Sequence, residues 1–169
     1  LGLPFPGTAE RFERLEEALQ IALRMFHGDE TAWHGTHYKL DRLLNKPAPL
    51  SRPHPPILIG GSGEKKTLRL VAQYADACNL FPGPDLARKL DVLRGHCEAV
   101  GRDYDEIEKT VIYPFDLGER GERVGTILEE LGRLAALGFT VGHGELKNAW
   151  DTKQFDVFAK EIVPAAEAL

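Results

Sequence analysis

The sequence predicts an α/β chain in which four short strands, each followed by a helix, form a parallel sheet behind an introductory helix and an extended arm. Three observations carry this. Ile57-Leu58-Ile59 is an unbroken apolar run with β-branched residues, the pattern of a strand buried on both faces. Gly60, Gly61 and Gly63 then stop it, and from Thr67 the apolar residues Leu68, Val71, Ala72 and Ala75 recur at helical spacing. Ala77–Phe81 reads as the next strand, and the alternation of strand with helix continues to the end of the chain.

Taken in order, Pro4 to Gly7 is a turn, and Thr8 is the expected N-cap of a helix whose apolar face runs Phe12, Leu15, Leu19, Ala22, Leu23, Phe26. Gly28 closes it in the usual C-terminal position. Thr31 to Leu40, with Trp33 and Tyr38, reads as a short extended arm or hairpin. His27, His34 and His37 lie in this part, but no carboxylate stands at a ligand-like spacing, so no metal site is expected. Residues 45–56 hold five of the eleven prolines and form an extended connector, because proline blocks helix continuation and restricts the residue before it.

After the second strand, Pro82-Gly83-Pro84-Asp85 opens a helix with the stripe Leu86, Leu90, Leu93, Cys97, ended by Gly101. Tyr104–Glu108 is a short helical turn. Thr110–Tyr113 is the third strand, running on towards Phe115. Val124, Ile127, Leu128, Leu131, Leu134 and Leu137 mark a helix capped by Gly138, Phe139–Val141 is the fourth strand, and His143-Gly144 turns out of it. Asp151 with Gln154 resembles a capping box for a last helix, which Pro164 bends or ends. The expected organisation is a single partial-barrel domain: helix and arm over 1–44, connector over 45–56, and four strand–helix units over 57–169.

The chain has 169 residues, 43% of them hydrophobic, enough for one globular core. A net charge of −5 argues against a general nucleic-acid or membrane-surface binder. No apolar run reaches the length of a membrane span and no signal peptide is visible. Cys78 and Cys97 match no metal or redox spacing and are expected as reduced thiols of a cytoplasmic protein. The first residue is Leu1 and not a methionine, which suggests a piece of something longer or a trimmed chain.

The glycine corner is the chemically suggestive stretch. Gly60, Gly61 and Gly63 remove the Cβ atoms that keep a ligand off the backbone. The next helix offers unpaired N–H groups and the positive end of its dipole, which suit an anion. Ser62 and Thr67 add hydroxyls, and Lys65, Lys66 and Arg69 make the surroundings basic. A phosphate fits this set; so does a bare tight turn with a capping hydroxyl. Two architectures accommodate the strand count, an open doubly wound sheet or half of an eight-stranded barrel, a whole barrel needing ~250 residues. Either places ligands beyond the carboxyl ends of the strands.

The run Pro-Pro-Ile-Leu-Ile-Gly-Gly-Ser-Gly-Glu followed by Thr-Leu-Arg-Leu-Val-Ala-Gln-Tyr-Ala-Asp-Ala-Cys-Asn-Leu closely resembles the luciferase-like monooxygenase family, nearest to its coenzyme F420-dependent oxidoreductase branch. The opening Leu-Gly-Leu-Pro-Phe-Pro with the following helix, and the closing 155–165, look like that branch too. The resemblance implies a TIM-barrel oxidoreductase, transferring hydride between a deazaflavin (coenzyme F420; alternatively FMN) and a small organic substrate. It implies that Gly60, Gly61, Ser62, Gly63 and Thr67 hold the cofactor phosphate, with Asn79 near the cofactor. It also implies that the chain is the C-terminal half of such an enzyme, the residues around the redox ring belonging to strands that precede it. Catalytic residues are therefore unassigned. A non-catalytic phosphate- or nucleotide-binding half-barrel is the alternative reading. Two unpaired sheet edges predict a homo-oligomer or pairing with a missing N-terminal half. His143 at the fourth strand's end, Tyr113 and Asp116 are further pocket candidates, while Asp76 is expected to order a turn.

Overall fold

The structure is a computed structural model that describes Gly2 and residues 5–169; Pro4 of the expected opening turn lies outside the described residues. The chain divides into two compact units, Leu1–Ile57 and Leu58–Leu169.

In the first unit, helix α1 spans Thr8–Phe26, with Gly7 as its N-cap and Arg11 N–H donating to Gly7 O at 3.0 Å. Thr8, expected as the cap, is the first helical residue instead. Its hydroxyl accepts from the Arg11 guanidinium at 3.2 Å and caps no amide. Gly28, at φ +77°, ends the helix with its amide on Met25 O, the left-handed conformation that glycine adopts without strain. The arm is a two-stranded antiparallel ribbon, β1 (Trp33–His34) with β2 (Lys39–Leu40). The proline-rich stretch after it forms neither helix nor strand through Ile57.

The second unit is built on four parallel strands in sequential order: β3 (Leu58–Gly60), β4 (Ala77–Leu80), β5 (Glu108–Ile112) and β6 (Phe139–His143). Between them run α2 (Thr67–Tyr74), α3 (Leu86–Val100) and α4 (Val124–Ala136), with a 3-10 turn at Tyr104–Glu106. Sequential order decides between the two architectures: a doubly wound sheet reverses its strand order at a switch point, whereas a barrel adds strands around one direction. The fold is half of a (β/α)8 barrel.

The sheet's two faces confirm this. In register, Ile59, Cys78, Lys109 and Phe139 form one row and Leu80 with Val111 another, all at most 8% exposed. The buried stripes of α2 (Leu68, Leu70, Val71, Ala72), α3 (Leu90, Leu93, Cys97) and α4 (Ile127, Leu134) supply the other half of that core. On the alternate rows Leu58, Gly60, Asn79, Ile112 and His143 are half-buried or exposed, while Ala77 beside Leu58 and Thr110 beside Asn79 are buried. This is the face that a closed barrel turns inward. Thr140 is an extra residue in β6 between the partners of Lys109 and Thr110, a bulge that bends the last strand.

The closing helix has three parts: α5 (Thr152–Val157), a π-turn (Phe158–Ile162) and α6 (Val163–Ala166). The widened turn ends at Ile162, two residues before Pro164, whose ring would meet the carbonyl four residues back in a regular helix. Asp151 is the N-cap, accepting from Lys153 N–H at 3.0 Å. Gln154 does not complete a capping box. It is buried, and its amide donates to Gly118 O at 3.1 Å, tying the helix to the preceding loop.

Candidate functional site

The strand ends bring Gly60, Leu80, Ile112 and His143 to one rim, with the glycine corner at its β3 side. Gly61 has φ +116°, which only glycine adopts without strain, and its N–H donates to Asn79 O at 3.0 Å, extending the β3–β4 ladder by one residue. The chain then runs to Thr67 with the amides of Ser62, Gly63, Glu64 and Lys65 having no acceptor among the described residues. Four successive unpaired donors ahead of a helix are chemically suited to an anion. Ser62 Oγ accepts weakly from Phe81 N–H at 3.5 Å, which leaves its own proton to give. The Thr67 hydroxyl has no partner among the described residues, and it lies 2.8 Å from where a Cβ on Gly63 would stand. Gly63 is thus required by Thr67, Gly61 by its backbone, and a Cβ on Gly60 would meet open space.

Asn79, on the same sheet face as Gly60, has its Oδ1 at 3.2 Å from the Thr110 hydroxyl, which also reaches Cys78 O at 2.9 Å. This fixes the amide plane and turns the Nδ2 donor away from Thr110. The basic run contributes less than its composition promises: Arg69 reaches along α2 to Gln73 at 2.6 Å. Two groups that sequence reasoning missed brace the corner from α3. Arg88 grips the Glu64 carboxylate at 2.8 Å, and His96 Nε2 lies 2.8 Å from Glu64 O. The one acidic side chain within the corner is thereby neutralised. No sequence signal marks these pairs, since 24 and 32 residues separate the partners.

The remaining candidates gather further along the rim. A cleft of about 710 Å³ opens at the ends of β4, β5 and β6, walled by Phe81, Pro82, Ile112 and Pro114 and closed by His143, Gly144 and Glu145. Gly144 cannot be replaced there, because a Cβ would stand 1.7 Å from Tyr113 O. Tyr113 lies outside this cleft. It donates its hydroxyl to Glu130, and burial together with that carboxylate pushes its phenol pKa up. Asp116 accepts from Lys147 at 3.0 Å, Gly118 N–H at 3.1 Å and Arg123 at 2.6 Å, and these hold its carboxyl below the usual range. Asp116 is a keystone of its loop. The Asp76 carbonyl accepts from Glu108 N–H at 2.9 Å, at the start of β5. Among the described residues no group of His, Cys, Asp and Glu is placed to hold a metal; His37 Nε2 lies 3.0 Å from Glu13 and His27 Nδ1 2.6 Å from Leu23 O.

A parallel half-barrel with a glycine corner after its first strand is the setting in which the comparisons with known proteins fall. The profile of the luciferase-like monooxygenase family matches residues 2–154. The chain belongs to the luciferase-like monooxygenase family. Among curated members, an F420-dependent glucose-6-phosphate dehydrogenase of Nakamurella multipartita is 34% identical over 115 residues, 64% of this chain and 32% of the dehydrogenase. An FMNH2-dependent dimethylsulfone monooxygenase of Pseudomonas putida is 37% identical over 62 residues, 37% of this chain and 17% of the monooxygenase. The luciferase-like chain thus matches about a third or less of the length of these relatives. Among solved structures, an F420-dependent secondary alcohol dehydrogenase in complex with an F420-acetone adduct superposes with a TM-score of 0.80 at 14% identity, covering 96% of this chain and 64% of the dehydrogenase. At that identity the likeness is one of fold.

Proposed function

We propose that this chain carries the cofactor-gripping side of an oxidoreductase, with the phosphate of coenzyme F420 held by Gly60, Gly61, Ser62, Gly63 and Thr67 and with Asn79 beside the cofactor. The observation that carries the reading is the run of unpaired amides from Ser62 to Lys65, ending beside the unpartnered Thr67 hydroxyl. The corner fits the group: it presents donors, and its carboxylate, Glu64, is already paired with Arg88. When bound, the deazaflavin supplies hydride exchange with a small organic substrate. The chain's own residues bind and orient: the amides and two hydroxyls fix the phosphate, Arg88 and His96 keep the corner in shape, and Asn79 offers an amide donor on the barrel face. We assign no proton transfer to these residues, and we expect this chain by itself to bind without turnover. Two buried free thiols, Cys78 and Cys97, suit a reducing cytoplasm.

The relative in Pseudomonas putida supports FMN as the second reading, since the same donors would take the phosphate of either cofactor. Calorimetric titration with oxidised F420 and with FMN separates the two. Each hydroxyl–phosphate bond contributes about 1.5–3 kcal/mol, so a Ser62→Ala/Thr67→Ala variant is expected to lose roughly a hundredfold or more in affinity while keeping its fold. Equal binding by the variant and the parent chain would remove the corner from the site. Turnover with an added electron donor, in the full-length protein, is what separates an enzyme from a non-catalytic phosphate-binding half-barrel.

A further inference from the structure

We infer that the cleft at the carboxyl ends of β4, β5 and β6 receives the substrate, and that it takes an uncharged, largely apolar molecule and not a phosphorylated one. Its role as substrate site rests on the oxidoreductase reading above; its chemical preference rests on its own lining. Phe81 and Ile112, 58% and 38% exposed, present apolar surface to the opening between Pro82 and Pro114. Among the described residues neither lysine nor arginine lines it. Of the cations on the adjoining loops, Arg123 and Lys147 are spent on Asp116 and Arg120 is not among the lining residues, while Arg133 lines a separate cleft that shares Pro82 and Pro114. Among the described residues the one carboxylate lining this cleft is that of Glu145, which would repel an anion. A doubly charged phosphate desolvated against two prolines, a phenyl ring and a carboxylate would find no lysine or arginine to balance its charge.

The polar feature that remains is His143, whose imidazole has no partner among the described residues. It sits in register with Ile112 and so faces the same side of the sheet. An imidazole beside apolar walls suits one carbonyl or hydroxyl oxygen on an otherwise hydrocarbon molecule. Gly144, pressed onto the Tyr113 carbonyl, keeps the floor next to it bare. The dehydrogenase relative is named for a sugar phosphate, and this lining departs from that chemistry.

The test is a site-resolved NMR titration of the isotope-labelled full chain with cyclohexanone and with glucose 6-phosphate. Cyclohexanone is expected to shift the Ile112 methyl, His143 imidazole and Gly144 amide signals with an apparent affinity at least about tenfold above that of glucose 6-phosphate at the same nuclei. Glu145→Lys, an exposed position whose side chain supports no part of the fold, is expected to narrow or reverse that ratio. Glucose 6-phosphate moving these nuclei as readily as cyclohexanone, cyclohexanone leaving them still, or an unchanged ratio in Glu145→Lys would each overturn the inference. Shifts of the Ser62–Lys65 amides with F420 or FMN report the cofactor proposal separately, so either reading can fail while the other stands.

Discussion

Glu17 lies on the inner face of α1, buried, with three donors converging on its carboxylate: the Trp33 indole at 3.1 Å and the backbone amides of His37 and Tyr38 at 2.8 and 3.0 Å. Burial works against its charge, yet these donors outweigh it and hold its pKa below the ordinary carboxylate value. Asp29 goes the same way, down to about 2, through Thr31 and Arg24. A depressed carboxylate stabilises the fold at every pH above its unfolded value and loses that contribution as pH falls through the folded one. Trp33 fluorescence should therefore report loosening of the arm below about pH 4, while Trp150, 84% exposed, stays constant. Glu17→Gln should flatten that acid response, and an unchanged profile would show that Glu17 does not govern it. Gly35→Ala should lower the neutral-pH unfolding midpoint of the same signal, since its Cβ would stand 1.3 Å from the pinned Glu17 Oε1. The corner glycines divide by the same logic. Gly61→Ala forces a side chain into φ +116° and should cost about 1–3 kcal/mol in urea unfolding. Gly63→Ala should displace the buried Thr67 side chain, lowering the urea midpoint as well as weakening cofactor binding.

Helix α2 shows what an element reveals in sequence and what it conceals. Its start, its apolar stripe and the glycine corner before it are local patterns, and all were legible because period and turn chemistry act over a few residues. The forces that hold its two ends come from far along the chain. Arg102, just past α3, donates to the carbonyl of Ala75 at 2.7 Å and reaches those of Val71 and Ala72, satisfying the last turn of α2. Arg88 and His96 fasten Glu64 ahead of the first turn. None of these pairs has a sequence signature, because a polar side chain 24 to 32 residues away looks like any solvated group until the fold places it. The misjudged caps have the same origin: Gly7 displaces Thr8, and Gln154 leaves its own helix for a carbonyl of a neighbouring loop. Arg102→Ala should destabilise the chain by about 1.5–3 kcal/mol, the usual worth of a charged hydrogen bond, read as a lower urea midpoint with unchanged slope.

At the scale of the molecule, alternating strands and helices predicted a parallel sheet, and the choice between barrel and open sheet came with strand order, which no local pattern encodes. The consequence is physical. Parallel sheets are covered on both faces in almost every known case, whereas here Leu58 and Ile112 stay 46% and 38% exposed on one face. Among the described strands, β3 and β6 each have one unpaired edge. Exposed apolar surface next to open backbone donors and acceptors favours pairing with another chain, and in a solution of this chain the available partner is a second copy. Sedimentation velocity between about 5 and 200 μM, a range suited to weak homo-association, should show a sedimentation coefficient that rises with concentration. A Leu58→Lys/Ile112→Lys variant, charged on the exposed face and untouched on the helix-covered one, should sediment as a smaller species at every concentration. A parent chain that remains a single monomeric boundary throughout would show that the open face and edges are sufficiently protected by the fold as it stands.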